Sequence, residues 1–471
     1  MIGAQDPGPV PGPWTILRRR FRNGPTRRGA VGAMVLSQLL LAGSLKLLVL
    51  QPEQCPAPSE VALEGAIDAA VEWFSANVEP DGRFLYRYRP ESDTIEPGYN
   101  IVRHAGSLVA LEQAAAAGWD AALTPAEAGW RFVENHLVDV PGPGSAFVVG
   151  AEGADTDADT DADADAGAAA LSAVAWTMRL ERNARFRSGA LEPPPALIAL
   201  GTFLVGQVEP TGAVAAFRDR VSGQPLPIRS RFYTGEVAWA LQRLAALVPD
   251  HGFEEPAART LRYLVQDRDR VERWFPPIAD HWAAYALAEA ATRADRSTSA
   301  APTSEVPTNA GAFRTAIAGR FAIQVRWESQ RRVGSTFSAL TRGRPAVGAA
   351  LGTLGEGLGQ LAMAELAHLD PPAGDGNGNG GGDRDRDGDR DIDAGPGIEG
   401  LRRQMGCVTG LLVARQVSED EAGRWPQPDR AAGAWVTGGV TQVDDQQHAL
   451  SALLVERALR RGWPETASDR P

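Results

Sequence analysis

Cysteine is nearly absent: the 471 residues contain only two, Cys55 and Cys407. Two thiols so far apart make no zinc signature. They leave two readings open. One is a single disulfide tying the start of the folded region to its penultimate helix in an oxidising compartment; the other is Cys407 as a small buried hydrophobe. No basic patch with interleaved aromatics occurs in the folded part, which argues against a nucleic-acid partner. The net charge of -12 says little about partners, because two low-complexity acidic inserts produce part of it. With 44% hydrophobic and 23% charged residues, the chain can bury a large core.

Calcium-loop chemistry is missing too. The run from Asp155 to Asp165 alternates Asp with Ala and Thr but has neither the Gly nor the terminal Glu of a binding loop, so it reads as a solvated loop. The second insert, Asp375 to Asp393, contains Asp383-Arg384-Asp385-Arg386-Asp387-Gly388-Asp389, which opens like a calcium loop. Its twelfth position, where a bidentate Glu belongs, is Ala394. No metal and no cofactor is expected.

What is present begins with a basic leader, residues 1–28, carrying Arg18, Arg19, Arg20, Arg22, Arg27 and Arg28. A mostly apolar run from Gly29 to Leu50 follows, broken by Ser37, Gln38, Ser44 and Lys46. That order reads as a membrane-spanning signal anchor, with a cleaved signal or an amphipathic leader as the alternative. Charge asymmetry then puts everything after residue 51 outside the cytoplasm, as a single-pass type II membrane protein. A linker at 51–60, a folded domain at 61–463 with inserts at 154–166 and 372–397, and a tail at 464–471 complete the expected organisation.

Helical periodicity recurs along 61–74, 100–117, 124–137, 167–183, 191–208, 232–247, 255–267, 280–293, 309–325, 355–368, 398–416 and 445–460. Thr124-Pro125-Ala126-Glu127 reads as a cap, an N1 proline and a capping box. Two turn-and-strand segments, 81–88 and 212–217, repeat one another. Charged-face helices (starting near 61, 124, 191, 255, 309 and 398) alternate with Gly/Ala-rich ones (near 100, 167, 232, 280, 355 and 445). Each apolar hairpin needs neighbours to cover it, so six hairpins imply a closed ring.

The stretch Gly438 to Leu454 shows the local grammar most clearly, with polar side chains at a helix start and an Ala/Leu-rich body behind. The starts near Tyr99, Phe232, Asp280 and Thr353 repeat it. This pattern resembles the all-α, (α/α)6 barrel (toroid) of six-hairpin glycosidases, sugar 2-epimerases and uronyl-sugar lyases and epimerases. The resemblance covers residues 60–460 as architecture, with short β-turn hairpins and the N-terminal transmembrane helix added. The DxDD signature of squalene-cyclase toroids is not matched by Val443-Asp444-Asp445-Gln446, and the Cys/Cys/His zinc set of lanthionine cyclases is missing.

The resemblance implies a cleft lined by inner-helix ends. Catalytic candidates there are Arg103, His104, Glu236, Asp280, His281, Glu356, Asp444 and His448. Candidates for substrate contact are Tyr86, Tyr88, Tyr99, Asn100, Arg231, Tyr233, Tyr285, Arg342, Asp445 and Gln447. Aromatics offer platforms for sugar rings, and Arg103 and Arg231 offer bidentate grips on a carboxylate, which points to an anionic saccharide. Each candidate has a plainer counterpart. Glu236 and Glu356 complement helix dipoles, Asp280 and Asp444 are natural caps, His281 and His448 fit as satisfied core histidines, and Tyr285 fits as packing. Arg103-His104 is locally unfavourable at a helix N-terminus. A hydrolase would draw its two carboxyl groups from Glu236, Glu356 and Asp444. A lyase or epimerase would need a His or Tyr base with an Arg beside the developing charge. The non-catalytic alternative is a toroid that binds a glycan or a partner protein at the membrane.

Overall fold

The computed structural model describes residues 27–48, 55–140, 146–148, 164–219, 222–296, 309–369 and 397–462. Most of the leader, both insert centres (155–163 and 375–393) and the tail lie outside the described residues. The chain divides into two units, Met1–Pro52 and Glu53–Pro471.

The first unit contains a helix, Arg27–Leu48. Among the described residues no helix is long and apolar enough to cross a membrane. The expected transmembrane anchor over 29–50 is therefore corrected to a helix without support as a span. Ser37, Gln38, Ser44 and Lys46 interrupt the apolar run, and each polar side chain subtracts from the transfer free energy that a span requires.

The second unit is built from twelve long helices among its described residues: α1 Glu60–Ala76, α2 Ile101–Ala116, α3 Leu123–Asn135, α4 Ala166–Arg182, α5 Pro195–Gln207, α6 Tyr233–Leu247, α7 Glu254–Gln266, α8 His281–Arg296, α9 Ala310–Glu328, α10 Ala349–Leu369, α11 Ile398–Arg415 and α12 Val443–Gly462. The even-numbered helices pack in the order α2-α4-α6-α8-α10-α12 and α12 returns to α2, which closes an inner ring. The odd-numbered helices pack outside: α3 on α2, α5 on α4, α7 on α6, α9 on α10, α11 on α10 and α12, and α1 on α12. The chain is an (α/α)6 toroid.

Local chemistry accounts for these elements. Ser59 caps α1 by accepting from Ala62 N at 3.2 Å, and Asn100 caps α2 by accepting from Arg103 N at 3.1 Å. The start of α3 departs from expectation: a 3-10 turn, Asp120–Ala122, runs straight into Leu123, so Thr124 and Pro125 lie inside the first turn and no side chain caps it. Helix α10 begins six residues before the 355 expected from the Gly-rich run, at Ala349. Its amide is capped from another helix, where Asp445 Oδ1 accepts from Ala349 N at 2.8 Å.

Glycine permits the close approach of the inner ring. A Cβ on Gly167 of α4 would stand 2.6 Å from Glu236 Oε2 of α6, and one on Gly235 of α6 would stand 2.8 Å from Asp280 Oδ2. The repeated turn-and-strand is real: Val78 bridges Phe84 and Val208 bridges Val214, around Gly82 (φ +94) and Gly212 (φ +91). Only Gly takes that backbone freely.

A four-stranded sheet joins the ends of the ring. β1 (Arg87–Arg89) and β2 (Thr94–Ile95) come from the first hairpin; β3 (Val436–Thr437) and β4 (Val440–Gln442) come from the last; the order is β2-β1-β4-β3. Tyr88 pairs with Thr441 in the antiparallel β1–β4 ladder. Cys55 and Cys407 form a disulfide that ties the segment before α1 to α11. Of the two readings open in the sequence, the structure takes the disulfide.

Candidate active site

A cavity of about 330 Å³ opens at the inner-helix N-termini. Its lining includes Asn100, Arg103, Tyr233, Glu236, His281, Asp444, Gln447 and His448. These come from α2, α6, α8 and α12, so eight sequence candidates from four helices reach one space. Glu356 and Tyr285 stand directly behind it.

The centre is a histidine–carboxylate group. His448 Nδ1 bonds Glu356 Oε2 at 2.6 Å, and its other nitrogen, Nε2, lies 3.7 Å from Asp444 Oδ1. Tyr285 donates its hydroxyl proton to Glu356 Oε1 at 3.3 Å. Burial alone would drive the His448 pKa down, but Glu356, with Asp444 and Asp445, outweighs it, and the net direction is up. That direction favours the protonated ring, in which Nδ1–H would donate to Glu356 and Nε2–H would face Asp444 Oδ1.

His281 is the opposite case. It is 3% exposed, and neither ring nitrogen has a hydrogen-bond partner. Its ring centroid is 5.1 Å from that of His448. Burial and then the charge of His448 push its pKa well below the ordinary histidine value, which leaves a neutral imidazole with a free lone pair. Trp282 packs on it at 4.3 Å between centroids, and Phe232 approaches to 5.9 Å.

Arg103 is anchored rather than free. Its guanidinium donates to Tyr86 Oη at 2.6 Å and lies 3.6 Å from Asp444 Oδ1. Tyr233 donates to Asp165 Oδ2 at 3.0 Å, and Asp165 also caps α4 through Ala168 N at 3.0 Å. Burial raises Asp165 to about 6 against those two bonds. Asp165 was read as the last residue of a solvated insert, and this is corrected: it is the α4 cap and stands behind the cavity wall. Ala164-Asp165 pairs with Phe217-Arg218 in a short ladder, a contact no local pattern announces. Sequence reasoning also missed Phe232, Trp282 and Thr353, which line the cavity.

Other candidates are placed elsewhere. His104 is fully buried; its Nδ1 meets Tyr99 Oη at 2.5 Å and its Nε2 meets Gly129 O at 3.0 Å. Burial lowers its pKa to about 4. It is a satisfied core histidine with Tyr99 as its partner, and neither lines this cavity. Tyr88 is buried and bonds Asp93 Oδ1 at 3.0 Å. Asp280 caps α8 through Ala283 N at 3.1 Å and pairs with the buried Arg268, and the cavity lining does not include it. Asp445 caps α10. Arg231 is exposed, with its charge 5.6 Å from the Trp274 ring centre. Arg342 donates to Gln330 O at 3.0 Å beside α9, outside the cavity. The second Arg of the expected carboxylate grip is thus absent from the cavity lining.

His281, Glu356 and His448 are also the one group among the described residues whose ligand atoms converge closely enough for a cation, within 4.8 Å of one another. The Glu356 oxygen involved already accepts from His448 at 2.6 Å, so a cation would have to replace that bond. The arrangement is that of a hydrogen-bonded acid–base group.

No protein-family model matches the chain, and no curated protein does. Among solved structures the chain is similar to a D-mannose isomerase, with TM-score 0.44 and 10% identity over 66% of this chain and 82% of that one. It is also similar to a sugar epimerase from a ruminal bacterium, with TM-score 0.34 and 12% identity over 65% of this chain and 71% of that one. At such overlap these names carry nothing about the chemistry of this chain.

Proposed function

We propose that the toroid is a carbohydrate-active enzyme that moves a proton beside the carbonyl of a small sugar, an isomerase or 2-epimerase. The observation that carries this reading is the pair of facing histidines in opposite environments: His281 buried with neither ring nitrogen bonded among the described residues, and His448, 5.1 Å away between ring centroids, bonded to Glu356 at 2.6 Å. Environments that push two titratable groups apart mark a base and an acid. His281 takes the C2 proton of an open-chain aldose while His448 Nε2–H protonates O1, giving a neutral enediol. His448 then takes the O2 proton while His281 returns its proton to C1, which yields the ketose; if the enediol turns so that the other face of C2 meets His281, His448 takes back the O1 proton as His281 protonates C2, which yields the epimer.

The cavity supports a single sugar. Its volume is at the small end of ligand pockets, and Trp282, Phe232 and Tyr233 offer apolar faces beside the hydrogen-bonding Asn100, Gln447 and Thr353. Hydrolysis fits less well. Glu356 is committed to His448 and Tyr285, and Asp444 lies between Arg103 and His448. The Cys55–Cys407 bond supports a location outside the reducing cytoplasm.

The test is proton exchange. Incubated in D2O with neutral aldohexoses, the wild type is expected to incorporate deuterium at C2 and to form product, read by NMR. His281→Gln and His448→Gln should each lower the rate about 10²–10⁴-fold with unchanged circular dichroism. Full turnover by both variants, or glycoside hydrolysis without exchange, would sink the reading.

A further inference from the structure

Glu236 is the cavity residue that the acid–base group does not use. It sits in the first turn of α6, is 4% exposed, and lines the cavity. Its Oε2 is buried without a hydrogen-bond partner among the described residues. Gly167 makes room for it, since any Cβ there would stand 2.6 Å from Oε2 and from the Tyr233 ring. Tyr233 cannot serve it, because its hydroxyl proton is donated to Asp165.

The groups around Glu236 are mostly of its own sign. Asp165 at the start of α4, Asp280 just before α8 and Asp444 at the start of α12 act on it; Tyr233 of α6, His281 of α8, His448 of α12 and Arg103 of α2 line the same cavity. The cations are committed: Arg268 to Asp280, His448 to Glu356, and Arg103 near Asp444. A buried carboxylate with no donor and three carboxyl groups nearby carries an uncompensated desolvation cost.

We infer that Glu236 is held as an uncharged carboxylic acid and donates a hydrogen bond into the cavity, to an oxygen of a neutral sugar. This inference rests on the sugar reading above and deepens it by naming the substrate class. Burial first, and then Asp165, Asp280 and Asp444, push its pKa well above the usual carboxylate value, in agreement with the geometry. An anionic sugar would meet Asp444 in the cavity lining with Arg103 already engaged, so the substrate class named here is a neutral sugar in place of the anionic one expected from the arginines.

The experiment is calorimetric titration of the full chain with D-mannose, D-glucose and D-glucuronate from pH 5 to 9, in wild type, Glu236→Gln and Glu236→Leu. The Gln amide keeps a donor of the same size, so its Kd for the neutral sugar that binds should stay within about threefold of wild type and should not vary with pH. The wild-type Kd should weaken as pH rises and the donor proton is lost, and Glu236→Leu should weaken it about tenfold or more. Glucuronate should bind worst. Equal losses in Gln and Leu, or a wild-type affinity independent of pH beside an unaffected Gln variant, overturns the inference. Infrared difference spectra of wild type minus Glu236→Gln at neutral pH give a readout that needs no sugar: a carboxylic-acid C=O band is expected. Its absence overturns the inference whatever binds. Its presence without any sugar binding sinks the carbohydrate reading and leaves Glu236 as the neutral acid.

Discussion

His281 and His448 are the same residue type near inner-helix starts, yet the fold pushes their pKa values in opposite directions. The difference is one partner: Glu356 lies 2.6 Å from His448 Nδ1 and 3.9 Å from His281 Nε2. The pH dependence of turnover follows. His281 is depressed, so the base stays neutral until pH falls far below the ordinary histidine range. His448 is raised, so the acid keeps its proton until pH rises above that range. Activity should therefore form a bell whose alkaline limb belongs to His448. Glu356→Gln removes the carboxylate, leaves burial dominant, and should shift that limb to lower pH in a kcat/KM profile. An unmoved limb would mean that Glu356 does not set the His448 charge. His104 shows why residue type alone misleads. It shares a helix start with Arg103, but both its nitrogens are consumed by Tyr99 and Gly129.

Among elements, the inner helices do more than present side chains, because they cap one another. Asp445, at the start of α12, terminates α10 through Ala349 N and packs on Gly348, where no Cβ would fit. Two helices that both supply the site are therefore aligned by one carboxylate. Asp445→Ala should cost about 1–2 kcal/mol, the usual loss for a cap, read by urea denaturation. It should also slow turnover more than a cap loss elsewhere would, since α10 carries Glu356 and α12 carries His448. A stability loss with unchanged kcat would separate the cap from the site. Helix boundaries were legible to within a few residues where the signal is local, as at Ser59 and Asn100. The α10 start was not, since its cap is 96 residues away in the chain.

For the whole molecule, ring closure is the dominant constraint. The β1–β4 ladder and the Cys55–Cys407 bond both join the beginning of the toroid to its end, the disulfide across 352 residues. Cross-linking so long a segment restricts the unfolded chain. Cys407→Ser, or reduction, should lower stability by about 2–5 kcal/mol, seen as a fall in Tm and as a mobility shift on non-reducing gels. An unchanged Tm together with a free-thiol titre of two would contradict the bond.

The sequence by itself determined the number of long helices, their alternation between charged-face and Gly/Ala-rich, and hence the toroid. Amphipathic spacing, turns and small residues act over a few positions and can be read there. Only the tertiary structure decided which helix-start residues share the cavity. Asp280 and Asp444 read alike, but one is locked to Arg268 and the other opens on the cavity; Asp165 looks like the end of a solvated run, yet Ala164-Asp165 pairs with Phe217-Arg218. Those outcomes depend on helix rotation and on partners such as the Glu356–His448 pair, 92 residues apart. No local pattern encodes the direction in which a buried side chain meets a distant one.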